Sequence, residues 1–232
     1  MSVSTQRNDG DVVLNTKLST SIHSKERSRS LAHYLIVKRA IDIVCAAVGL
    51  ICLTPLFIIV AILIKIEDPR GPVFFHQIRI GKNEKPFRMY KFRSMVSNAE
   101  ELLEELLMQN EIQGAMFKMK KDPRITRIGK FIRKTSIDEL PQLWNVIKGD
   151  MSIVGPRPPL PREVAEYTSH DKLRLKVMPG CTGLWQISGR NGLSFGEMVE
   201  LDLIYIEQRC MAVDFKIMLK TVKVLLGTKD AF

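Results

Sequence analysis

The sequence predicts a mixed, helix-rich α/β protein in which a small cytoplasmic domain is carried by an N-terminal, re-entrant membrane element of helix-break-helix form and accompanied by interfacial amphipathic helices. Three observations predict it. From Ile43 to Ile64 about 22 consecutive residues carry no charge, within the length that spans a ~30 Å hydrocarbon core. Thr54-Pro55 stands at the middle of that run, where proline withholds one backbone donor and crowds the carbonyl four residues before it. Beyond Lys65, two strand-like runs precede several short helical ones, separated by Gly- and Pro-rich turns, the pattern of a mixed α/β layer.

Composition bounds what else the chain can be. With 232 residues, of which 45% are hydrophobic, it has enough apolar surface to offset the entropy of ordering, which excludes a disordered linker. Its four cysteines, Cys45, Cys52, Cys181 and Cys210, form no C-x-x-C pair and no dense spacing, so a disulfide scaffold and a structural zinc site both lose their basis. The formal net charge is +10, which calls for an acidic partner: nucleic acid, nucleotide or lipid phosphate.

Residues 1–30 are polar, Ser/Thr-rich and without apolar period, and read as a mobile tail. Residues 38–66 form the membrane element. Each half of the uncharged run is about 11 residues, or roughly 16 Å of helix, half the hydrocarbon depth. Lys38 and Arg39 flank one end, Lys65 and Arg70 the other, so the positive-inside rule assigns both ends to the cytoplasm. A hairpin broken at Thr54-Pro55 satisfies both facts, with the Thr54 hydroxyl available to a freed carbonyl. A Pro-kinked span with ordinary basic anchors is the alternative these residues leave open. Cys45 and Cys52, seven residues apart on one helical face, read as small packing residues.

Residues 67–232 make up the domain. Pro72–Ile80 and Phe87–Phe92 read as two strands joined by the turn-rich GKNEKP. Ser97-x-x-Glu100 is a capping box that opens a helix striped by Leu102, Leu103, Leu106 and Leu107. From Lys118 to Lys134 eight Lys/Arg face the single acid Asp122, and the interleaved Ile125, Ile128, Phe131 and Ile132 suggest a partly helical element with one basic side, turned to a phosphate-bearing surface or simply to solvent. Near the C-terminus, Lys216, Lys220 and Lys223 form one stripe on an otherwise apolar helix, suited to an interface and equally to packing on the domain.

The chemistry concentrates between these helices. In K134-TSIDELPQLWNVIK-G149, Asp138 as N-cap puts Pro141 at the third helical position, where its missing N–H costs nothing, and Gly149 ends the helix. Asp138 and Glu139 then stand at a positive helix end beside Arg133 and Lys134, surroundings that keep both carboxylates ionised. Such carboxylates can cap a helix, hold Mg²⁺ or attack phosphorus. Downstream, prolines on both sides fix the backbone of Arg157, pre-positioning a guanidinium for phosphate oxygens. Pro179 to Gly183 forms a turn whose two glycines permit close backbone approach, and Arg190 follows on the next loop. Neither glycine pattern matches a Walker A or dinucleotide-binding loop.

The runs KTSIDELPQLWNVIKGDMSIVGPRP, PGCTGLWQISGRN, LDLIYI and DFKIMLKT, taken together and in this order, resemble the bacterial sugar transferases, the monotopic polyprenyl-phosphate phosphoglycosyl transferases that start exopolysaccharide or O-antigen repeat units. The likeness covers about Lys38 to Thr228 and implies the short form of the family, without the additional membrane bundle many relatives carry. It implies a reaction: a UDP-sugar gives hexose 1-phosphate, from glucose or galactose, to undecaprenyl phosphate at the cytoplasmic leaflet of the inner membrane, with release of UMP. It implies roles as well. Asp138 corresponds to the nucleophile that forms a phosphosugar-aspartyl intermediate, Glu139 to the Mg²⁺ ligand, and Arg133, Arg157 and Arg190 to phosphate-handling arginines, with Pro179, Gly180, Thr182 and Gly183 in the nucleotide or sugar pocket. Thr54-Pro55 stands where the family most often has Ser-Pro and keeps the hydroxyl. An N-acetylated or diamino sugar is the alternative donor, and a non-catalytic scaffold of an assembly complex the alternative class. A nucleic-acid binder would need aromatics among the basic residues; only Phe117 and Phe131 offer that, so nucleic acid is not expected as a partner. A homo-oligomer is compatible with the sequence.

Overall fold

Helix α1, Asp9–Glu67, opens the chain, in a computed structural model that describes residues 9–99, 101–102, 122–189 and 193–227. The chain divides into two units, Met1–Ile41 and Asp42–Phe232. In the first, the residues read as a tail are helical from Asp9. The Ser30–Glu67 part of α1 is long and apolar enough to cross a membrane. The helix continues through Pro55 rather than breaking there. Proline costs one ladder bond and bends a helix without necessarily ending it, and Thr54 Oγ1 donates back to the Leu50 carbonyl at 2.8 Å, one residue from the carbonyl that Pro55 leaves free.

The Asp42–Glu67 part of α1 lies against the domain along one side and is bare on the other. Ala46 is fully buried with Met89, Val146 and Met151, and Val60 and Ile64 are buried with Phe92 and Ile132, so this segment completes two of the domain's cores. Its ends are fixed by acids. Asp42, almost fully buried, accepts the Ile153 N–H at 3.0 Å. At the other end Glu67 accepts the Arg127 and Ile128 N–H groups at 2.7 and 2.9 Å. The opposite face is exposed and apolar, with Ile51 and Ile66 both 73% accessible. Cys45 and Cys52 belong to that exposed face, not to the packed one expected of them, because the buried stripe runs through Asp42, Ala46, Gly49 and Val60 instead.

Strands β1, Phe74–Ile80, and β2, Pro86–Phe92, pair antiparallel in the expected places. The turn between them is a 3₁₀ turn, Lys82–Glu84, with Asn83 and Glu84 both at positive φ. Of the capping-box helix, residues beyond Leu102 lie outside the described residues, as do 118–121 of the basic stretch. The remainder of that stretch holds α2, Arg127–Lys134, capped by the Thr126 side chain accepting from Gly129 N–H at 2.8 Å. Helix α3, Gln142–Lys148, follows and ends at Gly149 with φ 90°, as its sequence requires. Strand β3, Ser152–Val154, and strand β4, Gly180–Thr182, form a parallel pair, with α4, Pro161–Ala165, between them. Helices α5, Phe195–Gln208, and α6, Met211–Gly227, close the fold on a third core of Val154, Tyr205 and Ile217.

The LDLIYI and DFKIMLKT runs prove to be framework. Asp202 is fully buried and paired with Arg174, which also donates to Tyr167 Oη at 3.2 Å. Tyr205 Oη donates to Asp214 at 2.8 Å and lies 3.2 Å from the Val154 carbonyl, tying α5 to α6 and β3. On α6 the lysine stripe is exposed, and so are Phe215, Leu219 and Val222 one residue away along it.

Candidate active site

Both faces of the hairpin mix buried and exposed positions. Register pairs Phe75 with Lys91, Gln77 with Met89 and Arg79 with Phe87, so these six share one face. Arg79 on that face is buried, while Phe74 and Ile78 on the other are exposed. A buried arginine must be met by acceptors: Arg79 donates to Gln77 Oε1 through Nη2 at 2.8 Å and to the Pro158 carbonyl through Nη1 at 3.1 Å. Burial, with the Arg157 charge adding to it, lowers its pKa to about 10, still protonated at neutral pH.

Opposite this face the chain leaves α2 through Ser136, which sits in the left-handed region at φ 55°, ψ 18°, a conformation uncommon for serine and a common companion of functional sites. The left-handed step starts a 3₁₀ turn, Ile137–Glu139, and Pro141 stands before α3 with φ −60°. Asp138 is therefore not the N-cap of α3, as expected from spacing, but a member of the preceding turn. The distinction matters chemically, because a capping carboxylate is spent on backbone N–H groups.

The two carboxylates differ in environment. Asp138 is buried, only 8% accessible. Burial raises its pKa to about 6, against the attraction of Lys91 and Arg133 and with help from the Glu139 charge. The sequence expectation that positive surroundings dominate at this residue fails because desolvation outweighs them. At Glu139 they do dominate. Burial opposes ionisation there too, but Lys91 Nζ at 2.7 Å, with Arg157 and Arg79 nearby, brings its pKa down to about 2. Two neighbouring carboxylates held at separated pKa values are a mark of a reactive site.

Glu139, Lys91, Gln142 and Arg157 line one narrow cleft with Gly180, Cys181 and Gln186. Arg157 is exposed, between Pro156 and Pro158, which are both buried. The expected close approach of the glycines is real but is made to another loop: a Cβ on Gly180 would come within 2.1 Å of Gly155 N, and one on Gly183 within 2.6 Å of Gly155 O. This lets the Gly155-Pro156-Arg157 turn sit directly on β4. Pro179 accepts the Ser152 N–H at 2.8 Å, and Thr182 Oγ1 lies 2.7 Å from Thr221 Oγ1 on α6, turned to the framework. The structure thus gathers Asp138, Glu139, Arg133, Arg157 and Gly180, gives Pro179, Thr182 and Gly183 supporting contacts, and leaves Arg190 outside the described residues. Sequence reasoning missed Lys91, Arg79 and Gln142. The available signal was the inverted alternation of β1, where Gln77 and Arg79 occupy one phase and Ile78 and Ile80 the other.

The sequence profile of the bacterial sugar transferase family matches residues 33–228, most of the chain, and the chain belongs to that family. Among individual proteins, it is 53% identical over 199 residues to the galactosyl transferase CpsE of Streptococcus agalactiae, covering 84% of this chain and 43% of that protein. It is 46% identical over 200 residues to the undecaprenyl-phosphate galactose phosphotransferase of Salmonella typhimurium, covering 84% and 42%. The exopolysaccharide production protein ExoY of Sinorhizobium fredii is 40% identical over 201 residues, covering 85% and 88%. The chain thus spans less than half the length of the first two relatives.

Proposed function

We propose that this chain transfers hexose 1-phosphate from a UDP-sugar to undecaprenyl phosphate, releasing UMP, as an early membrane step in making an exopolysaccharide or O-antigen. The observation that carries the reading is the pairing of a buried carboxylate, Asp138, with one that stays ionised at neutral pH, Glu139, within the fields of Lys91, Arg133, Arg157 and Arg79. Lys91 and Arg157 line the cleft with Glu139, and two cations facing one ionised acid leave it net positive, as a diphosphate requires. The names of the Salmonella and Streptococcus relatives, a galactose phosphotransferase and a galactosyl transferase, support the same class and make galactose the first sugar to test.

In the first step an Asp138 carboxylate oxygen forms a bond to the sugar-bearing phosphorus while the bond from that phosphorus to the UMP oxygen breaks, and UMP departs with the electron pair. In the second, a phosphate oxygen of the lipid attacks the same phosphorus and the aspartyl carboxylate leaves, so atoms and charge balance and the enzyme is restored. Lys91 and Arg157 oppose the charge that grows on the leaving phosphate. The donor chemistry suits a magnesium ion: Glu139 lines the cleft and stays ionised at neutral pH, a hard oxygen donor of the kind such an ion takes one or two of, leaving its other positions to water and substrate phosphate. Glu139 would hold it, and it would supply neutralisation of the diphosphate.

The two acid latches support a reading of the membrane placement. Asp42 and Glu67 sit at opposite ends of the apolar segment, yet both accept backbone N–H groups of one compact domain. A helix crossing the bilayer would carry its ends to opposite sides. This supports a segment that enters and leaves on the cytoplasmic face of the bacterial inner membrane, bent at Thr54-Pro55, with α2 and α6 at the interface. Full-length protein in nanodiscs, given a panel of UDP-hexoses and UDP-N-acetylhexosamines with undecaprenyl phosphate and Mg²⁺, is expected to release UMP with UDP-galactose or UDP-glucose. Release only with N-acetylated donors moves the substrate assignment, and release with none of them overturns the reading.

A further inference from the structure

Among the described residues strand β2 has one strand neighbour, β1, so the backbone groups on its other edge have no strand to pair with and need other partners when buried. The Asn145 side chain supplies them. Asn145 is fully buried on α3; its Oδ1 accepts the Tyr90 N–H at 3.0 Å and its Nδ2 donates to the Arg88 carbonyl at 2.6 Å. Nδ2 also donates to Asp150 Oδ2 at 3.1 Å. A carbonyl demands a donor and an N–H an acceptor, so the amide has one workable orientation. It imitates a residue of a third strand, closing the strand edge with a side chain. Tyr90 precedes Lys91, and α3 begins three residues after Glu139. The segment Glu139–Asn145 is therefore held to β2 at two points, the Lys91–Glu139 ion pair of 2.7 Å and the Asn145 amide.

We propose that Asn145 is a positioning residue for phosphosugar transfer: by closing the free edge of β2 it fixes where Lys91 stands relative to Glu139 and the reacting phosphate. It touches no substrate. The inference rests on the transferase reading, yet part of its test is independent of turnover.

A displaced cation loses transition-state stabilisation more than ground-state binding. Asn145→Ala is expected to lower kcat about 10- to 100-fold with little change in KM for the UDP-sugar, the scale of a small misplacement at a reacting centre. Combined with Lys91→Met it should add little to the loss caused by Lys91→Met alone, because both remove the same contribution. Val146→Ala, a cavity at the neighbouring buried position on the same helix, should lower the melting temperature while keeping kcat within about threefold, and should be additive with Lys91→Met. Hydrogen exchange reads the tie directly: in Asn145→Ala the Tyr90 amide should exchange at least about tenfold faster than the loss of global stability accounts for. Should Asn145→Ala not fold, the isosteric Asn145→Asp carries the same cycle, since it keeps an acceptor for Tyr90 and sets a carboxylate against the Arg88 carbonyl. Additivity with Lys91→Met, or Tyr90 exchange unchanged beyond global stability, overturns the proposal. Inactive wild-type enzyme with fast Tyr90 exchange in the variant refutes the transferase reading alone.

Discussion

Asp138 carries a cost that its neighbours only partly offset. With EDTA present, isotope-edited infrared titration should show two carboxyls titrating near pH 6, Asp138 and the buried Asp202, of which only the first is absent from Asp138→Asn. The sign for stability follows. A folded-state pKa raised to about 6 from the ordinary aspartate value of 3.8 means the folded protein binds more protons across that window, so stability falls as pH rises from about 4 through 6. Asp138→Asn should therefore be inactive yet more stable than wild type at pH 7.5, by up to about 3 kcal/mol for a shift of this size. Chemical denaturation measures it, and a destabilised Asp138→Asn would contradict the assignment of burial as the dominant influence. Lys91 is expected to act in the opposite manner: Lys91→Met should lower kcat on the order of 10²-fold, as removal of a single charge-stabilising donor does. That residue was invisible in the sequence, since a lysine within FRMYKF reads as a solvated strand position until the register brings it opposite Phe75 and beside Glu139.

Elements were legible where their signal is local. The hairpin strands appeared where alternation and the GKNEKP turn placed them, and Gly149 stopped α3 as only a left-handed terminus does. The start of that helix was misread because its cause is Ser136 at positive φ, a conformation that serine does not announce. The glycines of Met178–Gly183 announced close approach, though not that the approaching partner would be Gly155. Two predictions belong at this scale. Gly180→Ala places a Cβ 2.1 Å from Gly155 N, so the β3–β4 pair must separate and the protein should lose several degrees of Tm together with Arg157-dependent activity; retention of both would show that the turn has slack. Glu67→Ala strips two charge-assisted bonds from the start of α2 and should cost about 1–2 kcal/mol, read by denaturation, whereas Glu67→Gln should cost less because one acceptor remains.

At the scale of the whole molecule the apolar segment is long and apolar enough to cross a membrane and is also part of the core. Ala46, Val60 and Ile64 face inward to two hydrophobic clusters, while Ile51 and Ile66 face out. Hydropathy could show that a membrane segment exists; that its two ends are gripped by one domain is a long-range fact, carried by Asp42 and Glu67, and no window along the sequence contains both. In a background without the native cysteines, Ser30→Cys and Arg70→Cys should both be labelled in inside-out vesicles and protected in intact cells, and labelling from opposite sides would restore the kinked span. The reaction itself is tested most directly by giving full-length enzyme UDP-galactose labelled at the β-phosphate, first without and then with undecaprenyl phosphate. Label should appear on Asp138 of the wild-type protein, pass to lipid-linked diphosphate galactose when the acceptor is added, and appear on neither in Asp138→Asn. Lipid product from Asp138→Asn at the wild-type rate, or transfer with no protein-bound label at any time, would contradict it.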